Sequence, residues 1–206
     1  LVIDISQHSN GKKLFWINKR MFDISMCLLL LPLLVFISLI LFFINFFFNY
    51  GSLFFIQDRM GKNCSMFSAI KFRTMVPAKE ITRKYNDPIE TNRITPLGKV
   101  LRKSRIDELP QILNVLKGEM SLIGPRPDYY IHALEYLKNV EGYRERHIIR
   151  PGITGLSQIR LGYIEGLEGT AKKVSIDNYY IHNVSYLIEL KIIFITIFVI
   201  LRGMGK

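Results

Sequence analysis

The hydrophobic positions gather in one block rather than spreading along the chain. Residues 26–44 are apolar at every position except Pro32 and Ser38, and Phe46, Phe47 and Phe48 prolong the run beyond Asn45. As a straight helix, residues 26–44 would cover roughly 28 Å, close to the depth of a bilayer core. The long polar stretch ahead and the lack of a small-residue cleavage site argue against a removed signal peptide. Two readings fit: a simple spanning helix, or a helix that enters the bilayer, bends and leaves by the same face. Pro32 deletes one backbone hydrogen bond about a third of the way along, which favours a bend. Lys12, Lys13, Lys19 and Arg20 precede the run, and Arg59, Lys62, Lys71 and Arg73 follow it. Such symmetry gives no inside/outside bias, as expected if both ends stay cytoplasmic. Phe15 and Trp16 suit the headgroup level.

A second apolar stretch, 192–201, is too short to span. It continues the pattern of Tyr179, Tyr180, Tyr186, Leu187 and Leu190, so it predicts a helix lying on the membrane or packed in the core. Lys191 and Arg202 bracket it and can snorkel.

Between these blocks, the polar stretch 51–178 reads as a cytosolic domain. Residues 53–57 and 68–75 predict two short strands around a turn at Gly61, Lys62 and Asn63. The polar 77–95 stretch predicts a loop. From 96 to 117 the apolar spacing is helical, yet Pro110 cannot sit deep inside a helix. Two helices resolve the conflict, the second starting near Ile106 or Asp107, with Pro110 in its first turn. That start places Asp107 and Glu108 where backbone N–H groups favour negative charge. Lys99, Arg102, Lys103 and Arg105 crowd the preceding residues. An N-cap among solvated charges is the plain reading of any single Asp-Glu pair.

Charge changes the picture. The chain has 206 residues, 28 Lys and Arg against 17 Asp and Glu, and 49% apolar residues. A chain both apolar and basic excludes a disordered protein and suits an anionic partner. Cys27 in the apolar run and Cys64 in a polar stretch argue against a disulfide and for a reducing compartment. Among the basic residues, three devices stand out. In Gly124-Pro125-Arg126-Pro127, two prolines leave one arginine few directions. Arg150-Pro151-Gly152-Ile153-Thr154-Gly155, followed by Gln158 and Arg160, repeats a stiffened arginine beside glycines. Alternation along 71–75 puts Lys71 and Arg73 on one strand face.

Together these groups can meet phosphates beside a carboxylate pair. Arginine forks match phosphate oxygens, and a divalent ion held by one carboxylate can bridge others. The second carboxylate is then free to attack phosphorus. Neither a Walker A sequence nor a G-x-G-x-x-G occurs, which disfavours a P-loop or Rossmann site.

The runs Gly98-Lys99-Val100-Leu101-Arg102, Asp107-Glu108-Leu109-Pro110-Gln111, 114–121 and 124–127, in this order, resemble the bacterial sugar transferases, that is, the monotopic phosphoglycosyl transferases. So do Lys19-Arg20-Met21-Phe22-Asp23, Gln57-Asp58-Arg59-Met60-Gly61, 71–75 and 150–155. The likeness covers 19–203. It implies transfer of a sugar-1-phosphate from a UDP-sugar to polyprenol (undecaprenyl) phosphate, with release of UMP and a need for Mg2+. By the same resemblance Asp107 is the nucleophile and Glu108 the residue associated with the metal. Lys71, Arg73, Arg102, Pro125, Arg126, Pro127, Arg150, Gln158 and Arg160 form the candidate substrate and phosphate site. The family's membrane helix is re-entrant with a break at a proline, which maps to Pro32, although Leu31 stands where a Ser is usual. Arg160 stands earlier than the family's usual nucleotide-site arginine.

The expected fold class is α+β, mainly helical. It comprises a basic interfacial segment (1–20), a re-entrant membrane helix broken near Pro32 (21–50) and a catalytic domain with a C-terminal interfacial helix (51–206). The family's extra membrane helices are not visible in the sequence. The resemblance implies the cytoplasmic face of a bacterial inner membrane, membrane lipids as neighbours and no nucleic-acid partner. A membrane-tethered anion-binding module would share the charge and the apolar run, but leaves the proline-stiffened arginines unexplained. A nuclease or phosphodiesterase would call for more carboxylates or histidines than accompany Asp107 and Glu108.

Overall fold

The computed structural model describes residues 10–48, 51–77, 90–162, 164 and 166–203. Most of the 77–95 stretch read as a loop lies outside these. Helices dominate. Helix α1 (Asn10–Phe48) leads into the hairpin of β1 (Phe54–Met60) and β2 (Met66–Phe72), then α2 (Pro96–Lys103), a 3-10 segment (Ile106–Gln111) and α3 (Ile112–Lys117). Strand β3 (Ser121–Ile123), α4 (Tyr130–Asn139), β4 (Gly152–Thr154), α5 (Leu156–Leu161), α6 (Gly166–His182) and α7 (Tyr186–Leu201) complete it.

Sequence spacing decides how α1 sits. Phe15, Lys19, Asp23, Cys27, Leu34, Leu41 and Asn45 are buried. Their intervals of four and seven residues trace one stripe of a helix. The polar members of that stripe are bonded. Lys19 pairs with Glu189 at 2.5 Å. Asp23 accepts from the Ser121 hydroxyl at 2.7 Å and Asn45 donates to the Gly51 carbonyl at 2.8 Å. Arg20 donates to the carbonyls of Val115 and Leu116, which capture the free end of α3. From Met26 onward the side of α1 away from this stripe is mostly exposed hydrocarbon: Leu29 is 70% exposed and Phe43 67%. The break expected near Pro32 is not seen: α1 is one helix from Asn10 to Phe48, and the missing N–H of Pro32 removes one hydrogen bond without ending it.

Helix α7 repeats the arrangement on a smaller scale. Ser185 caps its start, Glu189 and Ile192 are buried, and Leu187, Phe194, Phe198 and Leu201 face outward. The short 192–201 run therefore belongs to a helix with one buried side and one exposed apolar side.

The strands pair antiparallel, Phe54 opposite Phe72 and Met60 opposite Met66. The turn between them bends through Asn63 and Cys64, both at positive φ. Strands β3 and β4 pair in parallel, Ser121 opposite Gly152. The largest core cluster joins Cys27, Leu34 and Leu41 of α1 to Phe67, Ala69 and Phe72 of β2 and Ile112 and Val115 of α3. The membrane-type helix is thus part of the core of the polar body.

Candidate active site

Helix α2 sets one wall of the site. Thr95 caps it, accepting from Gly98 N at 2.9 Å, with Pro96 in the first turn. Gly98 lies so close to Thr74 that an added Cβ would meet the Thr74 carbonyl oxygen at 2.0 Å. This contact needs glycine, and it lets Arg102 Nε donate to Thr74 Oγ1 at 2.9 Å. The chain then reverses through Arg105, which is in the left-handed region at φ 60°. The segment that follows is 3-10, not the α-helix expected from 106 onward, and α3 begins only at Ile112. Pro110 accounts for the difference: its ring and missing N–H oppose i→i−4 bonding and permit the tighter turn.

Asp107 and Glu108 open this 3-10 segment, and both are buried. Glu108 lies among three cations. Lys71 Nζ reaches Oε1 at 2.9 Å, Arg105 Nη1 reaches Oε2 at 3.5 Å, and Arg126 also donates to Oε1. Asn114 keeps Lys71 in place by clasping β2, accepting from Ile70 N at 3.0 Å and donating to Ser68 O at 2.8 Å.

The electrostatics divide the two carboxyls. Burial pushes Asp107 up to about 6, with Glu108 adding to the rise and Lys71, Arg126 and Arg102 opposing it. Burial would also raise Glu108, but Arg126 and Lys71 outweigh it and hold this carboxyl well below the usual range. Lys71 is lowered to about 8, chiefly by burial and against the pull of Glu108. At neutral pH, Glu108 is a committed anion. Asp107 is a less solvated carboxylate, suited to attack rather than to static pairing.

Five of the expected residues therefore converge: Asp107, Glu108, Lys71, Arg102 and Arg126, the last framed by Pro125 and Pro127. Others go elsewhere. Arg73 was expected beside Lys71, but β2 ends at Phe72 and its alternation stops there. Its Nε donates to Ser52 O at 2.7 Å and its Nη2 approaches Asn45 Oδ1 at 3.4 Å, tying the hairpin to the end of α1. Arg150 Nε donates to Gly118 O at 2.7 Å, and the residue lines a cavity of about 270 Å3 with Trp16, Arg20 and Asp23. Gln158 donates to Ile153 O at 3.2 Å and Arg160 lies 5.9 Å from the Tyr179 ring centroid. The sequence pattern marks Arg105 only as one of a basic run, and Arg59 only as a flanking cation in a family-like stretch, not as a site residue. Nor does it reveal the buried Arg146 and Asp177 or the half-buried Asp128, because charges on polar stretches read as solvated faces.

Comparison with known proteins gives this geometry a context. The model of the bacterial sugar transferase family matches residues 14–203. The chain is 43% identical over 155 residues to the UDP-N-acetylgalactosamine-undecaprenyl-phosphate N-acetylgalactosaminephosphotransferase of Aeromonas hydrophila, covering 75% of this chain and 37% of that protein. It is 40% identical over 154 residues to the UDP-glucose:undecaprenyl-phosphate glucose-1-phosphate transferase of Escherichia coli K12, covering 72% and 32%. With the exopolysaccharide production protein PSS of Rhizobium leguminosarum bv. phaseoli it shares 39% over 203 residues, 87% of this chain and 92% of the other. The chain thus spans about a third of the first two relatives and nearly all of the third. A match running through α1, the dyad and α7 alike establishes that the chain belongs to the bacterial sugar transferase family.

Proposed function

We propose that the protein transfers a sugar-1-phosphate from a UDP-sugar to polyprenol phosphate. The observation that carries this reading is the pairing of unlike carboxyls: Asp107 raised to about 6 beside Glu108, which Lys71, Arg105 and Arg126 hold as an anion. The relatives that carry UDP-sugar and undecaprenyl-phosphate in their names supply the substrate class.

In the first step a carboxylate oxygen of Asp107 attacks the phosphorus bearing the sugar. The bond from that phosphorus to the bridging oxygen breaks, and UMP departs with the electron pair. In the second, a phosphate oxygen of the acceptor attacks the same phosphorus and the Asp107 oxygen leaves as a carboxylate. Lys71, Arg102 and Arg126 neutralise charge as the leaving phosphate forms. Glu108 is the carboxylate that would hold Mg2+, and it would have to share its oxygens with Lys71, Arg105 and Arg126. Among the described residues no three His, Cys, Asp or Glu side chains gather to hold a metal alone. One hard carboxylate, Glu108, completed by substrate phosphate oxygens, is the usual way this ion is held. Bound there, Mg2+ would supply charge neutralisation of the diphosphate.

The same reading puts the protein on the cytoplasmic face of a bacterial inner membrane, with α1 entering and leaving by one face and Pro32 as the pivot of its bend. Both ends of α1 support this. Lys19, Arg20 and Asp23 at one end and Asn45 at the other are bonded to the same polar body. A spanning helix would carry one of these ends away from it. Labelling of Lys12→Cys and Lys62→Cys variants in a background without Cys27 and Cys64 tests the topology. Both sites should react from the cytoplasmic side, and modification of only one would mean a crossing.

The chemistry is tested by UMP release from UDP-sugars upon addition of polyprenol phosphate. Asp107→Asn should abolish turnover and the trapped phosphosugar adduct while membrane association persists. Robust residual transfer by Asp107→Asn refutes the covalent route.

A further inference from the structure

Arg126 is carried by a segment with few backbone donors, because Pro125 and Pro127 have no N–H to give. It is held instead through four consecutive carbonyls. The Pro125 oxygen accepts from Gly152 N at 2.9 Å and the Arg126 oxygen from Arg146 Nη2 at 2.9 Å. The Pro127 oxygen accepts from Arg59 Nη1 at 3.0 Å and the Asp128 oxygen from Met60 N at 3.1 Å.

Of these four donors, Arg146 is the most costly to place. It is 1% exposed, and both its ion-pair partners lie on other elements. Its Nη1 meets Asp128 Oδ2, and its Nη2 lies 2.8 Å from Asp177 Oδ2 on α6, itself 1% exposed. Tyr143 adds a hydroxyl bond of 2.8 Å to Asp128, and its ring lies 5.2 Å from the guanidinium carbon. Burying such a triad rarely stabilises a fold, since packed apolar residues of similar volume do as well or better. Apolar residues could not donate to the carbonyl of Arg126 while anchored from two sides. The arrangement makes sense as a means of fixing direction.

We propose that Arg146 is a positioning residue. Clamped by Asp128 and Asp177, it sets the backbone of Arg126 and so aims that guanidinium at Glu108 and at the substrate diphosphate. This rests on the transfer reading given above, under which Arg126 meets that diphosphate.

Double-variant cycles test it, with two readouts: UMP release and affinity for UDP. Arg146→Lys keeps a buried cation but cannot serve two carboxylates and a carbonyl together. It should lower kcat/KM by about 100-fold, the scale set by small misplacements of a binding group. In an Arg126→Ala background, adding Arg146→Lys should change either readout by no more than about 2-fold, because the residues act in series. Should Arg146→Lys not fold, Asp177→Asn serves, with a smaller loss and the same lack of additivity. Losses that multiply in the double variant, or a folded Arg146→Lys enzyme with the parent's rate and UDP affinity, overturn the proposal. A parent protein that binds UDP but releases no UMP would sink the transfer reading alone, since the cycle in UDP affinity still reports the coupling. Failure to bind UDP would overturn both.

Discussion

The long helix and the polar body solve opposite problems with solvent. Along α1, large apolar side chains stand outward and the charged residues Lys19 and Asp23 turn inward. Around Glu108 and Arg146 the charged groups are also inward, but here they form clusters, Glu108 among three cations and Arg146 between two carboxylates. For α1 the outward face is stable only against lipid, so its apolar residues contribute to location rather than to folding. In the body, charges determine shape because they cannot be left unpaired. Residues of the same type thus have unlike worth in the two regions, and variants can expose the difference.

The largest effect should come from a charge on the helix that faces the body. Lys19→Ala leaves Glu189 buried with only the Tyr180 hydroxyl as partner. Denaturation in micelles should show a loss of about 3–5 kcal/mol. A loss below about 1 kcal/mol would mean that the seam is hydrated and the comparison misplaced.

Next in size is an acid effect in the body. His147 is buried and its pKa is lowered from 6.5 to about 4, by burial first and then by the Arg146 charge. Between those two values the unfolded chain takes up a proton that the folded chain refuses, so stability falls as pH falls. The loss across that window is about 3 kcal/mol. His147→Gln, which can still donate to the Gly61 carbonyl, should flatten the slope, and an unchanged slope would assign it to other groups.

Asp23→Asn should cost about 1–3 kcal/mol, because one carboxylate bonds both the Ser121 hydroxyl and Leu122 N. The smallest change in stability belongs to the lipid face. Leu29→Ser with Phe43→Ser should alter unfolding by less than about 0.5 kcal/mol each in micelles. The same pair should release protein from vesicles in a flotation assay. A large unfolding effect without release would show that these side chains are packed rather than bathed in lipid.

How much of this was legible beforehand follows from the range of each signal. The apolar block, the hairpin and the break around Pro110 are local, and the sequence spacing predicts them. Asp107 and Glu108 stand out because a carboxylate pair interrupts a basic run. Lys71 was placed correctly by strand alternation, and Arg73 was not, since alternation says nothing about where a strand stops. The stiffness of the Arg126 segment is evident from its prolines, but Arg146, which holds its carbonyl, lies twenty residues further along. Pairing at that separation is set by tertiary packing and leaves no periodic trace. The 3-10 turn at 106–111 depends on Arg105 adopting a positive φ, which no propensity favours.

The bonds that key α1 to the body have a mechanical consequence. With Arg20 and Asp23 gripping one end and Asn45 the other, the anchor can neither roll nor slide beneath its cargo. If α1 lies in lipid as proposed, these bonds also fix how far Asp107 stands from the bilayer, so that the depth of a headgroup becomes a second criterion beside its chemistry.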